Sequence, residues 1–468
     1  MRGQPTGTYV RAGGPRADLS DGELDRLFSG ALAGVLADIG GPPKVLVLPP
    51  DITRFHSRAG FFTDISCREL TRRAGADITV MPALGTHMAM TGEELGRMFP
   101  RTPRDKFRVH NWRNDVVDLG RIEADWIEKV SAGAVRYDWP VQVNRLLRDG
   151  GFSLILSIGQ VVPHEVIGMA NHAKNLFVGT GGKEAIDKSH YAGAAYGMER
   201  MMGRIDTPVR AMFDEGFRRF GDQLPPVLWV LTVIGPRRGE DGAGKEPGGE
   251  KAGPENQSAG NGNSLAVRGL FVGFGRECFE QAAALAREVN VDILEEPVKK
   301  AVVYLEPEEF RTTWLGNKAI YRTRMAMADG GELVILAPGL ERFGEDRDID
   351  ALIRTHGYRP AAVIRERVRE DSELAANLSA AAHLIHGSSE GRFTVRYCPG
   401  KGLSRAEIES AGYEWGGLDE ALSRYDPNAL RPGWNTIAGG ERIFFVPNPA
   451  LGLWAEGKRF NAVQGNAD

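Results

Sequence analysis

FSLILSIGQVVPH, residues 152–164, decides the fold. The run is apolar without alternation, so a strand built from it has both faces covered, the situation of parallel sheets flanked by helices. It then breaks at a glycine-containing turn and ends on His164. Working outward, VLVLPPD (45–51), ITVMPALGTH (78–87) and VLWVLTVIG (227–235) repeat the pattern. Helical stretches lie between these runs, among them LSDGELDRLFSGALAGVLADIG (19–40), where Ser20 and Glu23 have the spacing of a capping box.

The alternation continues further along: VRGLFVGFG then ECFEQAAALAREVN, KKAVVYLEP then NKAIYRTRMAMAD, GELVILAPG then DIDALIRTHG. Between the two halves stands PRRGEDGAGKEPGGEKAGPENQSAGNGNS (236–264), too polar and glycine-rich to bury a core. The reading is α/β: two α/β domains with largely parallel sheets and an active-site cleft between them. Residues 1–235 form an N-terminal cofactor-binding domain and 236–264 a flexible linker. Residues 265–430 form a C-terminal domain, and 431–468 a tail whose strand RIFFVPNP packs on either domain, possible return to the first included.

Composition narrows the function. The 58 Lys plus Arg against 62 Asp plus Glu leave a formal charge of −4, with no basic excess to drive binding to nucleic acid or to an acidic membrane. A small molecule is the expected partner. Only Cys67, Cys278 and Cys398 occur, at no metal-binding spacing, which excludes a disulfide framework and a cysteine zinc site. No run approaches the roughly 18 apolar residues of a membrane span, and the N-terminal MRGQPTGTYVRAGGPR has no signal-peptide core, so a cytoplasmic location is expected. The 59 glycines, about one residue in eight against a usual ~7%, fall partly in the linker and partly around the chemically interesting residues.

Those residues follow the apolar runs, where open α/β sheets bind ligands. Asp51 and Arg54 follow VLVLPP, His87 ends ITVMPALGTH, and His164 ends the 152–164 run. Any one of them alone reads as a loop residue in a turn or salt bridge; three strand ends together point to a site. The segment 159–204 adds His172 and His190 with Lys174, Lys183 and Lys188. Two nucleotide-like motifs fail. GTGGK (179–183) lacks the Walker spacing and is followed by Glu184, and LFVGFGRECFE lacks a full GxGxxG. His383 and His386 stand at i, i+3 on a helix without an evident third ligand, so core or surface use is expected.

Taken jointly, these spacings resemble the nickel-dependent lactate racemase family. Its elements correspond to Asp51-Ile52-Thr53-Arg54, Gly85-Thr86-His87 and Pro163-His164, with Lys174 ten residues past His164 and His190 sixteen beyond that. Lys318, ahead of Gly330-Gly331-Glu332-Leu333-Val334-Ile335, resembles the family lysine of the second half. The resemblance implies a nickel pincer nucleotide joined to Lys174 through a thioamide, with His190 as the protein ligand to nickel and Asp51 and Thr53 at the cofactor. It implies His87 and His164 as acid and base, and Arg54 and Lys318 holding a substrate carboxylate. The implied reaction is racemisation or epimerisation of a 2-hydroxy acid by reversible hydride transfer, in company with the enzymes that build the cofactor.

Departures from the pattern bear on the substrate. Asn171-His172-Ala173 replaces the usual glycine-rich turn before the lysine, Lys183 is a competing attachment point, Phe55 follows Arg54, and Leu315 beside Trp314 takes the place of a family glutamine. A larger hydroxy acid or a sugar acid is favoured over lactate. Two other readings stay open: a zinc hydrolase or lyase using His87, His164 and His190, and a non-catalytic binder of sugar acids.

Overall fold

The protein is described here from a computed structural model that covers residues 4–39, 41–237, 265–450 and 452–462. Most of the expected linker, residues 238–264, lies outside the described residues. The chain clusters into two compact units. The first holds the described residues within Met1–Ser189, Gly203–Arg238 and Ser264–Val289; the second holds those within His190–Met202 and Asn290–Asp468.

The first unit is built on a six-stranded sheet with the order β1-β10-β9-β6-β2-β3. Its strands are β1 (Gly7–Gly13), β2 (Lys44–Leu48), β3 (Asp77–Val80), β6 (Leu154–Gln160), β9 (Val227–Pro236) and β10 (Leu265–Phe274). The four strands read from apolar runs, β9, β6, β2 and β3, are mutually parallel, and β10 and β1 extend the sheet antiparallel. Every residue of β6 is buried, as an uninterrupted apolar run requires. Two small antiparallel pairs complete the unit: β4 (Val116–Ile122) with β5 (Trp139–Asn144), and β7 (Pro163–His164) with β8 (Gly168–Met169). The helix Asp21–Ala37 starts at the expected capping box, with Ser20 and Glu23 each satisfying the other's backbone N–H.

The second unit repeats the architecture. Its six-stranded sheet runs β15-β14-β13-β12-β17-β16, all parallel except the β16/β17 edge pair. The strands are β12 (Val298–Tyr304), β13 (Met327–Ala337), β14 (Thr394–Pro399), β15 (Glu414–Trp415), β16 (Gly433–Thr436) and β17 (Arg442–Val446). A separate parallel pair joins β11 (Val291–Leu294) to β18 (Leu453–Glu456). The fold class is thus α/β with largely parallel sheets. Among the described residues no helix is long and apolar enough to cross a membrane.

The boundaries differ from the sequence reading in three places. Residues 265–289 belong to the first unit, because β10 returns as the antiparallel partner of β9, with Leu265 opposite Pro236. The polar stretch therefore interrupts a hairpin and does not separate domains. His190–Met202 belongs to the second unit: Met198 and Met202 pack with Tyr321, Met325 and Leu453, and Glu199 pairs with Arg324 and Arg392. The tail also stays in the second unit, where β17 pairs with β12 and β18 with β11, so it does not return to the first.

Candidate active site

Three parallel neighbours, β3, β2 and β6, end at one edge of the first sheet, and the chain leaving each carries one predicted group. Past β2, a bridge between Pro50 and Ala83 prolongs the pairing and carries the Asp51 and His87 loops forward together. Asp51 then caps a single 3-10 turn, Ile52–Ser57, by accepting the Thr53 N–H at 3.1 Å, and the Thr53 hydroxyl also donates to it.

The other oxygen of Asp51 accepts from His87 Nδ1 at 2.6 Å. The side chain of Asp51 is only 7% exposed, while that of His87 is 55% exposed. Burial pushes the Asp51 carboxyl up, but the His87 hydrogen bond and charge, the Thr53 hydroxyl and the Arg54 guanidinium outweigh it and hold the group below its ordinary value. An ionised Asp51 can only accept, so it fixes the hydrogen on His87 Nδ1 and leaves Nε2 with its lone pair on the exposed side. Asp51 and Thr53, expected at a cofactor, are engaged with each other and with His87.

His164 is placed in the opposite sense. Its ring is buried, and its Nδ1 accepts the backbone N–H of Val166 at 3.2 Å, which puts the ring hydrogen on Nε2. The Glu165 carboxylate lies 3.6 Å from the same Nδ1. One imidazole is thus held as an acceptor at Nε2 and the other as a donor.

Lys174 sits in the short helix Ala173–Phe177, and its neighbour fixes the placement. Asn175 donates to the Leu48 carbonyl at 3.2 Å and to the Ser157 hydroxyl at 2.9 Å, tying this helix to β2 and β6. Gly179 beyond the helix accepts from Gly85 N–H at 2.9 Å, which joins the lysine segment to the His87 loop. Part of Lys174 reaches the surface, but its amine is enclosed by protein. Desolvation, then the charge of Arg54, lowers it from 10.5 to about 8, with Arg210 acting in the same direction and Glu165 and Asp51 opposing. At pH 7 about one amine in ten is then neutral, against fewer than one in a thousand for an ordinary lysine. Lys183, the competing attachment point, is instead paired with Asp187 one helical turn away.

The glycines beside the site have a use the sequence did not disclose. A Cβ on Gly179 would fall 2.4 Å from the Asn175 carbonyl oxygen, and one on Gly181 would fall 2.0 Å from that of Phe177. They let the turn close on its own helix. Gly85 does need its left-handed backbone, φ 58°, to turn His87 out from β3. His110, buried, holds the Gly181 carbonyl at 3.0 Å and is structural. His383 is structural too, hydrogen-bonded to the Tyr358 hydroxyl at 3.0 Å and lying under Trp314.

The structure therefore brings Asp51, Thr53, Arg54, His87, His164 and Lys174 to one end of one sheet. His190 and Lys318 lie in the second unit, His190 within the helix Lys183–Tyr196 and Lys318 at the start of the helix Lys318–Thr323. Asn175, Glu165 and Arg210 were not singled out from the sequence. Adjacency to His164 and Lys174 was the only available signal for the first two, and Arg210 had none.

Residues 38–201 match the lactate racemase N-terminal domain family. The match to this domain takes in about a third of the chain. A crystal structure of a Thermotoga maritima protein is similar over 95% of this chain and 99% of that one, at 21% identity and a TM-score of 0.73. The lactate racemase apoprotein of Thermoanaerobacterium thermosaccharolyticum is similar over 96% of this chain and 100% of that one, at 13% identity and a TM-score of 0.64. At these identities the likeness is one of fold. No curated protein sequence matches the chain. The domain match supports a function of racemase or epimerase type.

Among the described residues no group of three or more His, Cys, Asp or Glu is placed to hold a metal ion. A three-histidine zinc centre gains no support from this. A metal whose remaining ligands arrive with an organic cofactor needs only one protein ligand, and the donor set present is compatible with that.

Proposed function

We propose that the chain inverts the α-carbon of a 2-hydroxy acid, with a nickel pincer nucleotide attached at Lys174 and His190 as the protein ligand to nickel. A hydroxy acid larger than lactate, or a sugar acid, is the favoured substrate. The observation that carries the reading is the enclosed, weakly basic Lys174 amine held beside an Asp51–His87 dyad. An amine of this kind is the group needed for acylation, and the positive charges of Arg54 and Arg210 around it suit an anionic nucleotide. When bound, the cofactor supplies a reversible hydride acceptor.

The chain's own residues do the rest. Arg54 offers two parallel donors to the substrate carboxylate, with Lys318 as a point charge for the same anion. His87 Nε2 accepts the hydroxyl proton, and ionised Asp51 stabilises the imidazolium that results. His164 donates from Nε2 to the substrate oxygen. In its charged form His164 holds a second hydrogen at Nδ1, facing Glu165 in place of the Val166 amide, and it can pass the Nε2 proton to the substrate oxygen and end neutral with the lone pair on Nε2. Each imidazole can thus carry a proton with a carboxylate beside it, as inversion in both directions requires.

The test is intact-mass and metal analysis of the protein made alongside the cofactor-building enzymes. The expected result is about one nickel per chain and added mass on the Lys174 peptide. An unmodified Lys174 in an active preparation would overturn the proposal. His190→Ala is expected to lose nickel, whereas His87→Ala and His164→Ala keep nickel and lose turnover. Wild-type rates in either of the last two would contradict the acid and base roles.

A further inference from the structure

The segment Met169–Lys174 carries the chain from β8 into the lysine helix, and it does so in a costly conformation. Asn171 and His172 both have left-handed backbones, with φ of 74° and 57°. Two successive non-glycine residues in that region store of the order of 1–3 kcal/mol each and persist only where the surroundings hold them. Neither position is a glycine, so contacts must hold the conformation.

The contacts are specific. Arg210, from the helix Pro208–Phe220, is 1% exposed. Its Nη1 donates to the Asn171 carbonyl at 3.2 Å and its Nη2 to the Met169 carbonyl at 2.5 Å. The guanidinium lies over the Phe279 ring at 4.2 Å. His172 fills an aromatic slot, 4.4 Å from the Trp229 ring and stacked at 5.3 Å on the other partner, Phe279. Both His172 ring nitrogens are buried, with the Gly275 backbone beside the ring and Asp214 Oδ1 3.7 Å from Nδ1. The ring is thus an apolar plug, and the fork of Arg210 is the polar clamp on the strap.

We infer that Arg210 is a positioning residue for the Lys174 amine, acting through its two hydrogen bonds to the strap that leads into the lysine helix. The inference rests on the reading of Lys174 as the reactive amine. The clamp keeps the amine among Arg54, Asp51, Glu165 and Arg210, the charged groups that set its basicity, with desolvation as the largest influence. Burial in turn weakens Arg210 as an acid acceptor to about 10, still charged at neutral pH. Lysine in its place would keep the charge, but a single ammonium on a flexible stem does not reproduce a planar fork spanning two carbonyls.

The experiment is competitive labelling of the cofactor-free full chain with acetic anhydride between pH 6 and 11, reading the Lys174 peptide by mass spectrometry. In the wild type the labelling midpoint is expected near 8, following the lowered amine. Arg210→Met should raise it by about one pH unit or more, cutting labelling at pH 7 roughly tenfold, and Arg210→Lys should raise it in the same direction. Circular dichroism shows whether each variant is folded. If Arg210→Met does not fold, Arg210→Lys decides.

A folded variant of either kind with the wild-type midpoint overturns the inference. So does a wild-type midpoint near the ordinary lysine value, or failure of both variants to fold, since a positioning role predicts a folded chain with a shifted amine. The outcome is separable from the proposed function. A wild-type midpoint near 8 that moves in the variants, with no cofactor mass on natively made protein, would sustain the clamp and sink the racemase reading.

Discussion

Under the proposed function, Asp51→Asn is expected to leave the protein folded and nickel-loaded while lowering turnover about 10³-fold or more. Asparagine keeps the carbonyl oxygen that accepts the Thr53 N–H, so the turn Ile52–Ser57 retains its cap. Its amide nitrogen then faces His87 Nδ1, where a carboxylate oxygen stood at 2.6 Å. An amide donates, so the imidazole must accept at Nδ1 and carry its hydrogen at Nε2. The lone pair needed on the exposed side is gone, and so is the negative charge that stabilises the imidazolium. Reversing the tautomer of a catalytic imidazole in this way costs of the order of 10³–10⁴ in rate. Steady-state rates with both enantiomers, beside a melting curve and nickel content, check the prediction. A variant within about tenfold of the parent would show that Asp51 does not set the state of His87.

The same pair has a pH dependence with a definite sign. The Asp51 carboxyl titrates lower in the folded protein than the ~3.9 of an unfolded chain, so the folded state binds fewer protons there. Its stabilising contribution is complete above ~3.9 and is lost as the pH falls through the folded value below that. Acid loss of His87 orientation therefore belongs to strongly acidic conditions, well away from neutral pH.

How much of this was legible in the sequence depends on the range of the interaction. Asp51, His87 and His164 each stand a few residues past an apolar run, and a run that never alternates announces a buried parallel strand. Their arrival at one sheet edge follows once the three runs are neighbours, which the order β3-β2-β6 supplies. That Asp51 meets His87, 36 residues away, was not legible, because a carboxylate at this spacing serves an arginine or a nucleotide as well as a histidine. Arg210 was not legible for another reason: in PVRAMFDEGFRRF an arginine reads as part of a charged helix face, whereas Arg218 and Arg219 take that face and Arg210 turns inward. The domain boundary failed on the same ground. A polar insertion marks where a chain is interrupted, and only the register of Leu265 against Pro236 shows that it interrupts a hairpin.

Under the proposed function, Lys174→Met should abolish cofactor attachment and turnover together, and at pH 7 it should also stabilise the fold. The two effects have one cause. An amine lowered from 10.5 to about 8 binds its proton less well inside the protein than in the unfolded chain. Below pH 8 the folded state therefore carries the burden of an enclosed ammonium. At about 1.4 kcal/mol for each tenfold change in proton affinity that burden is at most about 3 kcal/mol, and partial exposure of the side chain brings the expected gain to about 1–3 kcal/mol. Methionine fills similar volume with no charge to desolvate. Between pH 8 and about 10.4 the unfolded chain binds more protons at this position than the folded one, so the parent gains stability as the pH rises. The melting difference between variant and parent should accordingly be largest at neutral pH and shrink towards zero by about pH 10.5. Parallel thermal melts of the cofactor-free proteins at pH 7, 9 and 10.5 test this. A variant that melts below the parent at pH 7, or a difference that does not change with pH, would mean that the amine is not enclosed and desolvated beside Arg54 and Arg210 as the lowered basicity requires.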